Sequence, residues 1–204
     1  MELREYLKIF KKHLVLILVI TFLLTAAAFV FTLNQPIRYQ ANGSLTIVPK
    51  SIAELKNIYQ YDGYYALQAS NLFGTTISSW LANPDIVTEI YKKAGYSSEG
   101  MNPQSLSKLI KTNQTLNSSM VTFQLVDENK EKADKLAKAT IEVVREKTNK
   151  FNQTAGTRVN FEIVSNPPLI NKVEPKKELN TAIGFLAGLI LGIFGAFVIE
   201  YFKK

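Results

Sequence analysis

Two apolar runs bracket the chain. Leu14 to Leu33 is twenty residues without a charge and Ala182 to Ile199 is eighteen, each long enough for a membrane-spanning helix. Between them the periodicity changes repeatedly. Tyr39 to Val48 is rich in β-branched and aromatic residues and partly alternates, which predicts a strand leaving the first run and ending at Pro49. Ser51-Ile-Ala-Glu54 has the spacing of a capping box. Apolar positions then recur at Ile52, Leu55, Ile58 and Tyr59, and at Leu72, Phe73, Thr76, Ile77, Trp80 and Leu81, predicting a long helix bent near Asp62-Gly63. Asn83-Pro84 opens a second helix to about Lys93, and Asn102-Pro103 a third through about Ile110, since Asn caps well and Pro suits the first helical position.

Lys111 to Leu116, a polar Asn117-Ser-Ser119 turn and the alternating Met120 to Val126 predict a β-hairpin. Asp127 is expected to cap a helix with the stripe Ala133, Leu136, Ala137, Ile141 and Val144. Gly156 breaks that pattern, and Arg158 to Val164 alternates as a last strand. The predicted fold class is α+β: two transmembrane helices flanking one small extracytoplasmic domain with about four strands.

Pro167, Pro168 and Pro175 fix φ and withdraw backbone donors, so residues 165–180 read as an extended, rigid, membrane-proximal segment rather than a helix. The chain then divides into an N-terminal cytoplasmic segment 1–12, a span 13–33, a domain 34–164, the proline-rich segment 165–180, a second span 181–200 and a short tail 201–204. In the second span Gly184, Gly188, Gly192 and Ala196 recur every four residues and form a ridge of small residues for close helix packing. Its partner is either the first span, where Thr21, Thr25 and Ala28 form a comparable strip, or the same helix in a neighbouring subunit.

The net charge of +7 changes little. Six basic residues (Arg4, Lys8, Lys11, Lys12, Lys203 and Lys204) against Glu2, Glu5 and Glu200 put +3 beside the spans, leaving +4 over the long loop, an ordinary solvated surface. No basic stripe interleaves with aromatics, so no nucleic-acid partner is expected. The N-terminal basic cluster predicts an inside N-terminus, and Lys203-Lys204 agrees, giving both termini cytoplasmic and the domain outside the plasma membrane. A signal peptide cleaved near Ala26-Ala-Ala28 is the alternative for the first run, but apolar residues continue through Leu33 and favour an uncleaved anchor.

Cysteine is absent, which excludes disulfides, thiol catalysis and thiolate metal sites. The one histidine, His13, stands at the edge of the first span and reads as an interfacial residue. Phosphate-loop, zinc-protease and nucleophile-elbow motifs are missing. Acidic pairs such as Asp127-Glu128 fall where helix starts favour negative charge. No catalytic residue, metal or cofactor is expected. The cluster Tyr59, Tyr61, Tyr64 and Tyr65 has two readings: rings that contact a glycan or a subunit interface, or rings that pack in the core and over the helix bend.

A basic flank, a span, the strand Tyr39 to Val48, an α+β domain, the proline box Pro167, Pro168 and Pro175, and a glycine-rich span beginning near Gly184 together resemble Wzz-type polysaccharide chain-length determinants. The likeness covers nearly the whole chain, and Met120 to Lys150 also looks like that family's domain. Its size is closer to the Gram-positive capsular-polysaccharide co-polymerases, which act beside a separate cytoplasmic tyrosine kinase. The resemblance implies an oligomeric, non-catalytic regulator of capsule or exopolysaccharide chain length, with a polymerase, a kinase and the glycan as partners. Those modulators usually carry a longer cytoplasmic tail than Glu200 to Lys204, so a kinase contact is expected to draw on Met1 to Lys12 as well. The alternative is a two-span scaffold or sensor for another cell-envelope machine.

Overall fold

The computed structural model describes residues 10–50, 62–154 and 159–202. The elements in chain order are α1 (Leu14–Leu33), β1 (Arg38–Pro49), α2 (Asp62–Leu81), α3 (Pro84–Lys93), α4 (Pro103–Leu106), β2 (Ile110–Gln114), β3 (Met120–Asp127), α5 (Lys130–Thr154), β4 (Phe161–Val164), β5 (Leu169–Val173) and α6 (Lys177–Phe202). They fall into two compact units, Arg38–Val173 and the terminal segments Met1–Ile37 with Glu174–Lys204. The class is the expected α+β, with two candidate membrane helices flanking the middle of the chain.

In the first unit the sheet is antiparallel with order β2-β3-β1-β4, and β5 also pairs with β1. Strand alternation sends Ala41, Leu45 and Ile47 of β1, and Val121, Phe123 and Leu125 of β3, into one core with the apolar faces of α2, α3 and α5. The opposite face carries Asn42, Ser44, Thr122 and Gln124, which are half-buried. On α2 the buried stripe is Ala66, Ser70, Phe73, Ile77 and Leu81; Leu72, expected in that stripe, is exposed. Phe73 lies stacked on Phe161 at 4.4 Å between ring centres, with Trp80 edge-on at 5.6 Å. The capping box at Ser51 and the residues before Asp62 lie outside the described residues, so the predicted bend falls at the point where described α2 begins.

Caps account for the helix starts. The Asn83 side chain accepts from the Asp85 N–H at 2.9 Å, and Asn102 accepts from Gln104 at 2.9 Å. The α4 helix stops at Leu106, short of the predicted Ile110, because Ile110 is taken into the sheet opposite Leu125. The predicted cap at Asp127 also moves. Asp127 is still paired with Tyr39 as the last residue of β3, and its carboxylate accepts from the Asn129 N–H at 2.9 Å. Asn129 caps α5, accepting from Glu131 at 2.8 Å and Lys132 at 3.1 Å. In the hairpin turn Asn117 has φ 58°, a left-handed conformation that Asn tolerates.

The proline-rich segment is less uniform than its sequence suggests. Residues 169–173 form β5, and helix α6 begins at Lys177, inside the stretch expected to be non-helical. β4 pairs with β1 up to Thr46 opposite Val164, and β5 resumes the pairing at Asn42 opposite Leu169. Four residues, Ser165 to Pro168, therefore stand opposite three, Gly43 to Leu45. That surplus of one is a bulge, and Pro167 and Pro168, which have no N–H to give the ladder, occupy it. β4 and β5 are one strand interrupted by its prolines, which is why five strands appear where about four were expected.

In the second unit α1 and α6 pack antiparallel. An ideal Cβ at Gly184 would lie 2.5 Å from the Ala28 Cβ, at Gly188 2.8 Å from the Thr21 Cα, and at Gly192 3.1 Å from the Ile17 Cα. Only hydrogen fits there. The Thr21, Thr25 and Thr32 hydroxyls donate to the carbonyls four residues back, at 2.8, 2.7 and 2.8 Å, so these three hydroxyls are satisfied within the apolar helix α1. Val15, Phe22, Ile190 and Phe194 point outward and are mostly exposed, the surface a bilayer would cover.

Candidate functional site

The residues singled out in the sequence come to different places. Tyr59 and Tyr61 lie outside the described residues. Tyr64 and Tyr65 stand on the exposed side of α2, ring centres 5.9 Å apart and edge to face, with the Tyr64 hydroxyl accepting from Gln68 at 3.2 Å. Gly184, Gly188, Gly192 and Ala196 are buried against α1. Pro167 stands in the bulge, and Pro175 precedes α6, its carbonyl accepting from the Lys177 N–H at 2.9 Å.

Among the described residues no three His, Cys, Asp or Glu side chains gather to hold a metal ion. The ionisable contacts are structural. Lys132 Nζ lies 2.8 Å from Asp127 Oδ2 and over the rings of Tyr91 and Tyr96, at 5.7 and 5.6 Å, tying α5 to the end of β3 and to the α3 region. The hydrogen bond to Asp127 raises the Lys132 pKa; burial raises that of Tyr91, opposed by the charge on Lys132. Lys93 pairs with Glu146 and Lys147 with Glu89, joining α3 to α5.

A groove of about 830 Å³ lies over the face of the sheet opposite the one on which the described helices α2, α3 and α5 pack. The registers arrange its floor in two rows. Lys111, Gln124 and Asn42 are successive neighbours across β2, β3 and β1, and Asn113, Thr122 and Ser44 form the next row. Gly43, Thr112 and Phe123 between the rows, and Asn166, Pro167 and Leu169 on and just after the bulge, also line it. Sequence reasoning did not find this groove. Its trace is polar alternation on three segments, Asn42-x-Ser44, Lys111-x-Asn113 and Thr122-x-Gln124, which becomes a surface only once the register is known.

No family model matches the chain. It is 30% identical over 201 residues to the probable capsular polysaccharide biosynthesis protein YwqC of Bacillus subtilis (strain 168), an alignment covering 98% of this chain and 77% of that protein. The chain belongs to the capsular polysaccharide co-polymerase family. The likeness takes in both apolar helices of this co-polymerase as well as the unit between them. At one end of the co-polymerase's helix pair, Lys12 Nζ contacts Glu200 Oε1 at 2.7 Å and His13 Nε2 lies 2.9 Å from Glu200 Oε2. The histidine read as an interfacial residue thus has a carboxylate partner on the other helix.

Proposed function

We propose that this co-polymerase is a non-catalytic membrane regulator of capsular or exopolysaccharide polymerisation that sets chain length. Likeness to a capsular polysaccharide biosynthesis protein across both apolar helices and the unit between them carries the reading. The basic flank before α1 supports cytoplasmic termini and an external α+β unit. Several copies, associating in the plasma membrane around a polymerase, would act on the growing glycan by position rather than chemistry, and a cytoplasmic tyrosine kinase is the expected inner partner.

Deleting the gene is expected to shift the length distribution or amount of surface polysaccharide, and re-expression to restore it. A sizing gel on which deletion strain and parent are indistinguishable overturns the proposal. Thiol labelling at single cysteines placed in the 111–113 segment and in 1–12 checks the topology: the first is expected to react in intact cells, the second only after lysis.

A further inference from the structure

The geometry points to a binding site on the face of the sheet opposite the described helices for an acidic glycan segment, with hydroxyl-rich sugar residues along the two polar rows and a carboxylate against Lys111. It rests on the polysaccharide reading above and supplies the surface at which the glycan would be held.

Three features select this occupant. The two rows carry amides and hydroxyls, which match the vicinal hydroxyls of a sugar ring, within a lining that is otherwise mostly apolar, as the C–H faces of a sugar ring require. Among the described residues the side chains of Gln124, Ser44 and Asn113 have no hydrogen-bond partner, while Asn42 Oδ1 accepts from Gln40 at 2.8 Å and is thereby oriented. Among the described residues lining the groove Lys111 alone is charged; it is exposed, and no described side chain pairs with it. An anionic group on the ligand would complement it. Pro167 and Leu169 add an apolar side, Leu169 being 71% exposed, against which the C–H face of a pyranose could rest.

The same features argue against other ligands. A peptide adding as a strand needs unpaired backbone donors, but the central floor strands β1 and β3 are each paired on both sides. An anionic lipid surface would call for several cations, and among the described lining residues Lys111 is alone. The volume falls within the roughly 300–1,000 Å³ of small-ligand pockets, room for a few sugar residues and not for a folded partner. The bulge has a part in this. By carrying Asn166 and Pro167 away from the ladder, it turns a flat sheet into one with a side wall.

The full chain in lipid nanodiscs should be titrated calorimetrically with a short oligogalacturonate, a maltooligosaccharide of equal length as neutral control, and an oligoglutamate of equal charge. The oligogalacturonate is expected to bind, and Lys111→Glu to weaken it about tenfold, the scale of one charge-assisted contact. Gln124→Leu is expected to weaken the oligogalacturonate as well, and the thermal midpoint of Lys111→Glu is expected to be unchanged because Lys111 is exposed. No oligogalacturonate binding, binding indifferent to both substitutions, or equal binding of the oligoglutamate overturns the site. Its failure and that of the regulator are separable. Unchanged polysaccharide in the deletion strain removes the function whatever the titration shows, whereas altered polysaccharide with a groove that does not bind removes only the site.

Discussion

A methyl group added at Gly43 has nowhere to go. An ideal Cβ there would lie 2.3 Å from Phe123 Cζ, and that ring is 2% exposed in the middle of the core, held by β3 opposite Gly43. Gly43→Ala is therefore expected to destabilise the protein by about 1–3 kcal/mol, the usual cost of overpacking, read as a lower thermal midpoint; an unchanged midpoint would show that the ring can move aside. The exposed pair Lys93–Glu146 makes a smaller, pH-dependent contribution. The hydrogen bond from Lys93, more than the surrounding charges, lowers the Glu146 pKa and raises that of Lys93. A depressed carboxyl pKa stabilises the fold above its unfolded value, and that contribution is lost as pH falls through the folded value; a raised ammonium pKa is lost as pH rises through its own folded value. The advantage of the native chain over Glu146→Gln is expected at neutral pH and to vanish at both extremes, and a difference that persists in strong acid would refute the linkage. Exposure keeps it small.

At the scale of elements, the α1–α6 seam depends on the absence of side chains. Gly188→Ile would drive a branched side chain into the Thr21 backbone and is expected to separate the helices. Because the native chain has no cysteine, a pair introduced at Lys12 and Glu200, whose side chains meet across the two helices away from the glycine ridge, reports the seam: joining by a short bifunctional thiol reagent is expected in the parent and lost with Gly188→Ile, and retained crosslinking would mean that the helices pack elsewhere. The two long apolar helices, the Asn caps at Asn83 and Asn102 and the stripe of α5 were legible in the sequence, because composition and local periodicity determine them. β5 was hidden, since Pro167 and Pro168 read as the end of regular structure when they mark an interruption in one strand. The start of α5 was misplaced by two residues for a related reason: Asp127 has the chemistry of a cap, but pairing with Tyr39 keeps it in the sheet. The rows Lys111–Gln124–Asn42 and Asn113–Thr122–Ser44 could not be read at all, because each joins three strands far apart in sequence and exists only through their register.

At the scale of the whole molecule, the register joins the two ends of the sheet-bearing unit. Arg38, its first residue, is paired with Val173, its last. A unit whose termini are neighbours on adjacent strands loses no internal pairing when cut from the rest of the chain. The fragment 38–173 is therefore expected to fold alone and unfold in one cooperative transition, by circular dichroism on heating. The alternative cut at Val164, where the sequence pattern places the end of the domain, removes β5. That strips Arg38 to Asn42 of partners on one edge and uncovers Ala41, which sits opposite Ile170 and is completely buried. The fragment 38–164 is expected to melt well below 38–173 or to lack a cooperative transition. Equal midpoints would mean that the strand after the bulge belongs energetically to the lead-in of the second span. A large gap would instead make the proline bulge an internal feature of the sheet-bearing unit, with the connection to the second apolar helix beginning only at Glu174.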